Sequence, residues 1–278
     1  MPWKYSEEYY REYTRTTWNE SADAYLALVK NFEPYRVDLV ERARIQTGER
    51  ILDLGTGPGE PALTIAGKVG NPGHVVGVDL SEKMILIAQR AAAARSVSNV
   101  EFRVMDSSAL EFPNASFDAV VSSFGFQIFT DPEQAARETL RILRPRGRIA
   151  VCVWSTGDRV PWIDAIVGPM LKHAEPDETG YIPTPYELGA PGELVAFLES
   201  AGFQHSHEDR RTHTFHWDDE EDYLRSVLKG TPIGHSLSEE APEVQQEVLR
   251  ETHLNLKQWR TQGGLSIPGE CVFVTAVK

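Results

Sequence analysis

Basic residues are scarce in this chain of 278 residues: 28 Lys and Arg stand against 41 Asp and Glu, a formal net charge of −13. Holding a phosphate backbone needs a basic face, so no nucleic-acid partner is expected. Arg141, Arg144, Arg146 and Arg148 do cluster, but they read as a solvated helix end favoured by the helix dipole. Cysteine is nearly absent. Cys152 and Cys271 sit in apolar runs without metal-ligand spacing, which excludes a disulfide framework and points to reduced core thiols. No apolar run approaches the roughly 18 residues of a membrane span, so no stable membrane insertion is expected. The polar, aromatic opening MPWKYSEEYYREY does not read as a signal peptide, and a cytoplasmic protein is the expectation. Repeats and low-complexity tracts are missing too.

What remains is an ordinary globular balance, 41% hydrophobic and 25% charged, enough for one large α/β domain with an elaboration or two small domains. The first thirty residues are dense in aromatics: Trp3, Tyr5, Tyr9, Tyr10, Tyr13, Trp18 and Tyr25. A helix there puts Tyr5, Tyr9 and Tyr13 on one face. A second helix is expected over about 34–46, stopping at Thr47-Gly48. Strand-like runs then occur at 50–54, 74–79, 100–105, 117–122 and 148–154, separated by helical segments at 60–69, 82–95 and 132–144. Alternation of this kind, with nearly continuous apolar strands, means a parallel sheet covered on both faces. Ser81 stands as the N-cap of the 82–95 helix. Past Trp154 the pattern loosens, and residues 155–190 carry Pro161, Pro169, Pro176, Pro183 and Pro185. A helix at 191–201, a strand at about 205–215, helices near 219–229 and 238–261, and a last strand at 271–277 complete the reading.

Ile51-Leu52-Asp53-Leu54-Gly55-Thr56-Gly57-Pro58-Gly59 joins a strand, an acid and a loop with Gly at alternate positions. Such a loop lets a ligand lie against bare backbone. Its spacing is one residue tighter than the dinucleotide fingerprint Gly-x-Gly-x-x-Gly. Acids also end the next two strands, as Val78-Asp79-Leu80-Ser81 and Met105-Asp106-Ser107, and strand four ends in Ser122-Ser123-Phe124-Gly125. In a doubly wound sheet, ligands sit beyond these strand ends. Each acid has a structural alternative. Asp53 can cap its turn, Asp79 can N-cap a helix, and Asp106 can make an Asx turn.

The strand–acid–Gly-x-Gly-x-Gly form resembles class I S-adenosylmethionine-dependent methyltransferases. Phe117-Asp118-Ala119-Val120-Val121-Ser122, Phe124-Gly125, Phe129-Thr130-Asp131-Pro132 and Arg141-Ile142-Leu143-Arg144-Pro145-Arg146-Gly147-Arg148 resemble the quinone-biosynthesis (UbiE/COQ5-like, methyltransferase type 11) group. That group has Gly where Arg146 stands. The match covers about 48–154 and is weak elsewhere.

The resemblance implies a Rossmann-like, doubly wound α/β fold of seven strands, mostly parallel with one antiparallel. It also implies an N-terminal helical lid and helical insertions after strands five and six. The whole of 1–278 would be one methyltransferase domain: lid 1–47, cofactor core 48–154, and insertions with the last helix and strands over 155–278. It implies S-adenosyl-L-methionine as cofactor and S-adenosyl-L-homocysteine as product. Gly55, Thr56 and Gly57 would lie against the methionine part, with Asp53 near its amino group through water. Asp79 would hold the ribose hydroxyls, Leu80 and Met84 the adenine faces, Asp106 and Ser107 the adenine amine. The Ser122 carbonyl would face the amino group or the sulfonium. Trp18 and Tyr25 are candidate lid residues, core packing being the equal alternative.

Methyl transfer from a sulfonium needs alignment and exclusion of water, and a base only where the acceptor must lose a proton. His173, His205, His207, His213, His216 and His235 are candidates, and none is singled out. A nicotinamide-dependent oxidoreductase is disfavoured by the loop spacing and by the lack of any Tyr-x-x-x-Lys pair. A non-catalytic S-adenosylmethionine-binding scaffold stays open. Strand four lacks the Asp/Asn-Pro-Pro-Tyr/Phe motif that amino-methylating enzymes of nucleic acids carry. A small, partly apolar metabolite such as a quinone, polyketide or terpenoid is therefore the expected acceptor, handled by a monomer or homodimer.

Overall fold

The computed structural model describes residues 7–174 and 184–278. Trp3, Tyr5, Pro176 and Pro183 lie outside the described residues. Two compact units emerge. A sheet unit comprises Pro34–Trp154, Leu188–Arg211 and Cys271–Lys278; a helical unit comprises the described residues of Met1–Glu33, Ser155–Glu187 and Thr212–Glu270. Residues 34–47 fall in the sheet unit.

Five parallel strands form the body of the sheet unit: β1 Arg50–Leu54, β2 His74–Asp79, β3 Val100–Val104, β4 Phe117–Ser123 and β5 Leu143–Trp154. Two long strands, β6 Gln204–Trp217 and β8 Gly264–Val277, follow, with β7 Arg260–Thr261 paired beside β8. The order is β3-β2-β1-β4-β5-β8-β6, and β8 pairs antiparallel with β5 in the register Cys152 to Phe273. Strand order reverses between β1 and β4, which is where such sheets open a crevice. The expected parallel sheet with one antiparallel strand is this sheet, apart from the two-residue β7.

Helices cover the sheet because their apolar faces match its apolar strands. In the sheet unit these are α2 (Glu33–Arg42, all but its first residue), α3 (Ala62–Val69), α4 (Glu82–Ala94), α5 (Pro132–Ile142) and α7 (Glu193–Ser200). The predicted cap of α4 is present, Ser81 Oγ accepting from Met84 N at 3.1 Å. Asp131 caps α5 in the same way, with Pro132 in the first turn. The core gathers Leu52, Val76, Val120, Ile149 and Val274 from five neighbouring strands.

Two local readings change. The helix expected to reach 144 ends at Ile142, and β5 starts at Leu143 rather than 148. Between them the pairing slips from Phe117–Leu143 to Ala119–Arg148, so Arg144-Pro145-Arg146 bulges out of the ladder. Arg144 pairs with Asp118, and Arg146 adopts φ +64, the turn geometry that Gly serves in the related group. The helix expected over 238–261 runs only from Pro242 to Leu256, and a separate short helix, Pro232–Ser238, precedes it.

The helical unit holds α1 (Glu7–Leu28), α6 (Pro161–Leu171), α8 (Glu220–Gly230), α9 (Pro232–Ser238) and α10 (Pro242–Leu256). Its core is aromatic. Trp162 stacks on Phe215 with centroids 4.7 Å apart, Phe215 on Trp217 at 5.6 Å, and Tyr223 meets Trp217 edge-on at 5.0 Å. The Tyr223 hydroxyl donates to the Trp162 carbonyl at 2.7 Å, and Trp217 Nε1 to Ser226 Oγ at 2.8 Å. Trp18 and Tyr25 pack edge-to-face at 5.4 Å, and Tyr25 continues to Phe32 at 6.0 Å. No helix among the described residues is long and apolar enough to cross a membrane.

Candidate functional site

The turn after β1 is held on both sides by backbone. Gly55 N and Thr56 N both donate to the Val78 carbonyl at 2.9 Å, tying the loop to β2. Gly55, Gly57 and Gly59 take φ of +76, +52 and +106, the left-handed region. At Gly59 a Cβ would come within 3.1 Å of the Ala88 Cβ, so α4 packs directly on backbone there. At Gly57 nothing lies within 4 Å of a built Cβ, and this stretch of main chain faces open space. A ligand can approach it without meeting a side chain.

Asp53 lies beneath this loop, fully buried. Its Oδ2 accepts from Thr56 Oγ1 at 2.7 Å and from Ala62 N at 3.0 Å, binding the loop to the start of α3. Its Oδ1 is buried without any hydrogen-bond partner. Desolvation raises the carboxyl to about 7; the Thr56 and Ala62 bonds act against this, while Glu60 and Asp79 add to it. An unmatched buried carboxylate oxygen calls for a donor, best a cationic one.

Asp79, half-buried at the end of β2, joins loop and helix. Oδ2 accepts from Gly57 N at 2.9 Å and Oδ1 from Ser81 N at 2.9 Å. Leu80 N adds a third backbone bond, and the carboxylate keeps acceptor capacity beyond these three. Burial raises this carboxyl as well, against those backbone bonds. Leu80 is half-buried next to it, whereas Met84 is only 2% exposed and packs into the core. Beyond β3, Asp106 Oδ1 accepts from Ser108 N at 2.8 Å and Ser108 Oγ at 2.7 Å, an Asx turn, with Ser107 half-buried between them. Ser122 is buried and donates its hydroxyl to the Leu54 carbonyl at 2.8 Å, linking the ends of β4 and β1. Asp53 thus ties its turn to the start of α3 and Asp106 makes an Asx turn, whereas Asp79 does not N-cap α4, whose cap is Ser81, and instead bridges the glycine loop and Ser81 N.

An aromatic group at the same strand ends escaped the sequence reading. Phe124, with φ +61, turns sharply out of β4 and stacks on Trp154 at 4.2 Å; Tyr35 stands edge-on to both rings. A bulky residue in that conformation is strained, which is typical of site-forming turns. Phe129 lies over the glycines: its ring would meet a Cβ on Gly55 at 3.2 Å and one on Gly125 at 2.5 Å. The spacing Gly125-x-x-x-Phe129 was the available signal. Gln127 Oε1 accepts from Trp154 N at 2.7 Å and fixes this corner. Of the histidines, His205, His207 and His216 are exposed, His173 lies 3.8 Å from Glu247, and His235 lies 3.6 Å from Glu239.

These features fit S-adenosylmethionine on the structure's own terms. The orphaned Asp53 Oδ1 suits an amino group through water, the open backbone at Gly57 a close-lying chain, and the Asp79 lone pairs vicinal hydroxyls. Comparison with known proteins agrees. The family model described as a methyltransferase domain matches residues 51–147. Nocamycin O-methyltransferase of Saccharothrix syringae is 31% identical over 65% of this chain and 69% of its own. Demethylmenaquinone methyltransferase of Thermus thermophilus is 44% identical over 42% of this chain, a match spanning about half of that relative (52%). Among solved structures, phosphoethanolamine N-methyltransferase 2 of Haemonchus contortus, bound to phosphomonomethylethanolamine and S-adenosylhomocysteine, superposes with a TM-score of 0.60. Sequence identity there is 18%, over 97% of this chain and 60% of that one, a likeness of fold alone.

Proposed function

The chain belongs to the S-adenosylmethionine-dependent methyltransferases, and from that premise we propose that it methylates a small, partly apolar metabolite. The observation that carries the cofactor half is the buried, unpartnered Asp53 Oδ1 beneath an open glycine backbone. The acceptor class rests on two relatives named for nocamycin and demethylmenaquinone, and on an acidic chain poorly suited to nucleic acid. A quinone, polyketide or terpenoid belongs to that class. A cytoplasmic monomer or homodimer goes with the reading, its two units serving as one methyltransferase domain.

In this proposal the Gly55-Thr56-Gly57 backbone and Asp53 hold the methionine part. Asp79 accepts from the ribose hydroxyls, and Leu80 and Met84 border the adenine. Asp106, Ser107 and Ser122 complete the rim. S-adenosylmethionine, when bound, supplies a methyl group on a sulfonium leaving group, so transfer is an in-line displacement. The residues' work is to bind, align and keep water away. Calorimetry with S-adenosylmethionine and with a nicotinamide dinucleotide tests the cofactor. A mass-detected screen of quinone, polyketide and terpenoid acceptors tests the reaction. Methylation confined to a protein or nucleic acid would overturn the acceptor class, and cofactor binding with no transfer to any acceptor would leave a scaffold.

A further inference from the structure

The arginines at 141–148 do not form the solvated helix end that their sequence suggests. Only Arg141 stands on α5, where Glu138 holds it at 2.7 Å. Arg144, Arg146 and Arg148 belong to β5 and its bulge, and the sheet register brings further cations beside them. Ile51 of β1, Ala119 of β4, Arg148 of β5 and Val277 of β8 lie level. One step toward the N-terminal ends of β1, β4 and β5 therefore come Arg50, Asp118, Gly147 and Lys278. Hydrogen bonds close this row: Arg50 N donates to Asp118 Oδ2 at 2.8 Å, and Lys278 N to the Gly147 carbonyl at 2.9 Å. Three strand spacings make it about 14 Å long.

Positive charge is in surplus along the row. Arg144 is paired with Asp118, and Arg148 with Glu49 at 2.7 Å. Arg44 is tied in from the end of α2, its carbonyl accepting from Arg148 Nη2 at 2.9 Å. The guanidiniums of Arg44, Arg50 and Arg146 have no carboxylate partner among the described residues. Arg50 lies over the Phe117 ring, 5.1 Å from its centroid, while Arg44 and Arg146 are exposed. Both exposed arginines hold left-handed backbone, at φ +49 and +64, which costs a residue with a Cβ about 1–2 kcal/mol. Gly at 146, as in the related group, would avoid that cost. Instead the position presents a charge to solvent, on a chain whose formal net charge is −13.

We propose that this end of the sheet unit docks an acidic helical segment of a partner protein, with Arg44, Arg50 and Arg146 as the contacts that recognise it. Charge complementarity selects the partner, and the shape of the row selects its form. Cations spread over four strands make no single cradle for one phosphate. Carboxylates four residues apart on a helix stand about 6 Å from one another, and between two and three turns cover about 14 Å. A nucleic acid or an anionic bilayer extends past the row, over a surface that is acidic on balance and repels it. The glycine loop lies at the other ends of the same strands, about 16 Å away along the five residues of β1. A docked partner therefore leaves the cofactor site free. The proposal does not depend on which molecule accepts the methyl group.

The test uses the full chain and a labelled helical peptide of about 16 residues, built from Ala and Glu with Glu at every fourth position. A matching Ala/Lys peptide, a thymidine oligonucleotide and phosphatidylserine vesicles are the comparison probes. Fluorescence anisotropy is expected to show saturable binding of the Glu peptide at about 20 mM salt, weakened roughly tenfold at about 200 mM. Arg146→Gly removes the charge and relieves the left-handed backbone, so its fold is secure; it is expected to weaken binding about two- to fivefold. Adding Arg44→Gln and Arg50→Gln is expected to bring the loss to roughly tenfold or more, with S-adenosylmethionine affinity in calorimetry unchanged. Should the triple variant fail to fold, Arg146→Gly with Arg44→Gln carries the comparison. No saturable binding at low salt, undiminished binding by the folded variants, or tighter binding of any comparison probe would each overturn the proposal.

Discussion

Replacing Asp53 by Asn is expected to stabilise the ligand-free protein above neutral pH while weakening its hold on S-adenosylmethionine. Burial raises the Asp53 carboxyl from 3.8 to about 7. Between those values the folded chain keeps a proton that the unfolded chain has released. Stability therefore falls as pH rises, by about 1.4 kcal/mol per pH unit, and the loss is complete above about 7. From pH 5 to pH 8 this amounts to about 3 kcal/mol. Asn escapes the loss. Its amide oxygen can take the Thr56 hydroxyl and Ala62 N–H that Oδ2 now holds at 2.7 and 3.0 Å, and a neutral NH2 replaces Oδ1. Urea unfolding of both proteins at the two pH values measures the effect, and titrations elsewhere cancel in the difference. The wild type should lose about 3 kcal/mol relative to the variant. A cationic amino group near Oδ1 favours the ionised form, so wild-type cofactor affinity should rise between pH 6 and pH 8 while that of the variant stays flat. A stability difference constant to within about 0.5 kcal/mol across pH 5 to 8 would refute the account of Asp53 as a carboxyl whose pKa is raised by burial.

Asp79→Ala should weaken S-adenosylmethionine binding by roughly 2–4 kcal/mol and also free Gly57 N and Ser81 N, lowering the melting temperature. Wild-type affinity in calorimetry would remove Asp79 from the site. Gly57→Ala should cost about 1–2 kcal/mol of stability at φ +52, and its methyl, projecting into open space, should reduce cofactor affinity at least about tenfold. Unchanged binding would mean that no ligand lies against that backbone. Tyr223→Phe removes a 2.7 Å bond to the Trp162 carbonyl inside the aromatic core, and thermal unfolding should show a loss of about 1–2 kcal/mol with cofactor affinity intact.

Strands 50–54 and 74–79 were legible to the residue because short, largely apolar runs bounded by turn signals leave little choice of extent. Ser81 was equally legible, since an N-cap is a local bond. The Arg144–Arg146 bulge was not, because it depends on Asp118, distant in sequence until the sheet forms. At the site, sequence reasoning set capping against binding for Asp53, Asp79 and Asp106. The structure shows bonds to backbone N–H groups at all three, not a helix cap at Asp79, and at Asp53 and Asp79 it leaves acceptor capacity besides. Phe124 escaped because no pattern marks a bulky residue for the left-handed region; only the packing of Trp154 and Tyr35 around it accounts for the turn.

Strand order carries a consequence for the timing of folding. Cys271–Val277 of β8 lies between β5 and β6, so the core strand β5 has its second neighbour only once residue 277 has been made. A nascent chain on the ribosome can pair β1 to β5 early, since those strands are close in sequence. Until the final segment emerges, however, Ile149, Val151 and Val153 belong to an open, apolar sheet edge. Such edges invite pairing with other chains. That edge stays without its β8 partner over the 116 residues that separate Trp154 from Cys271.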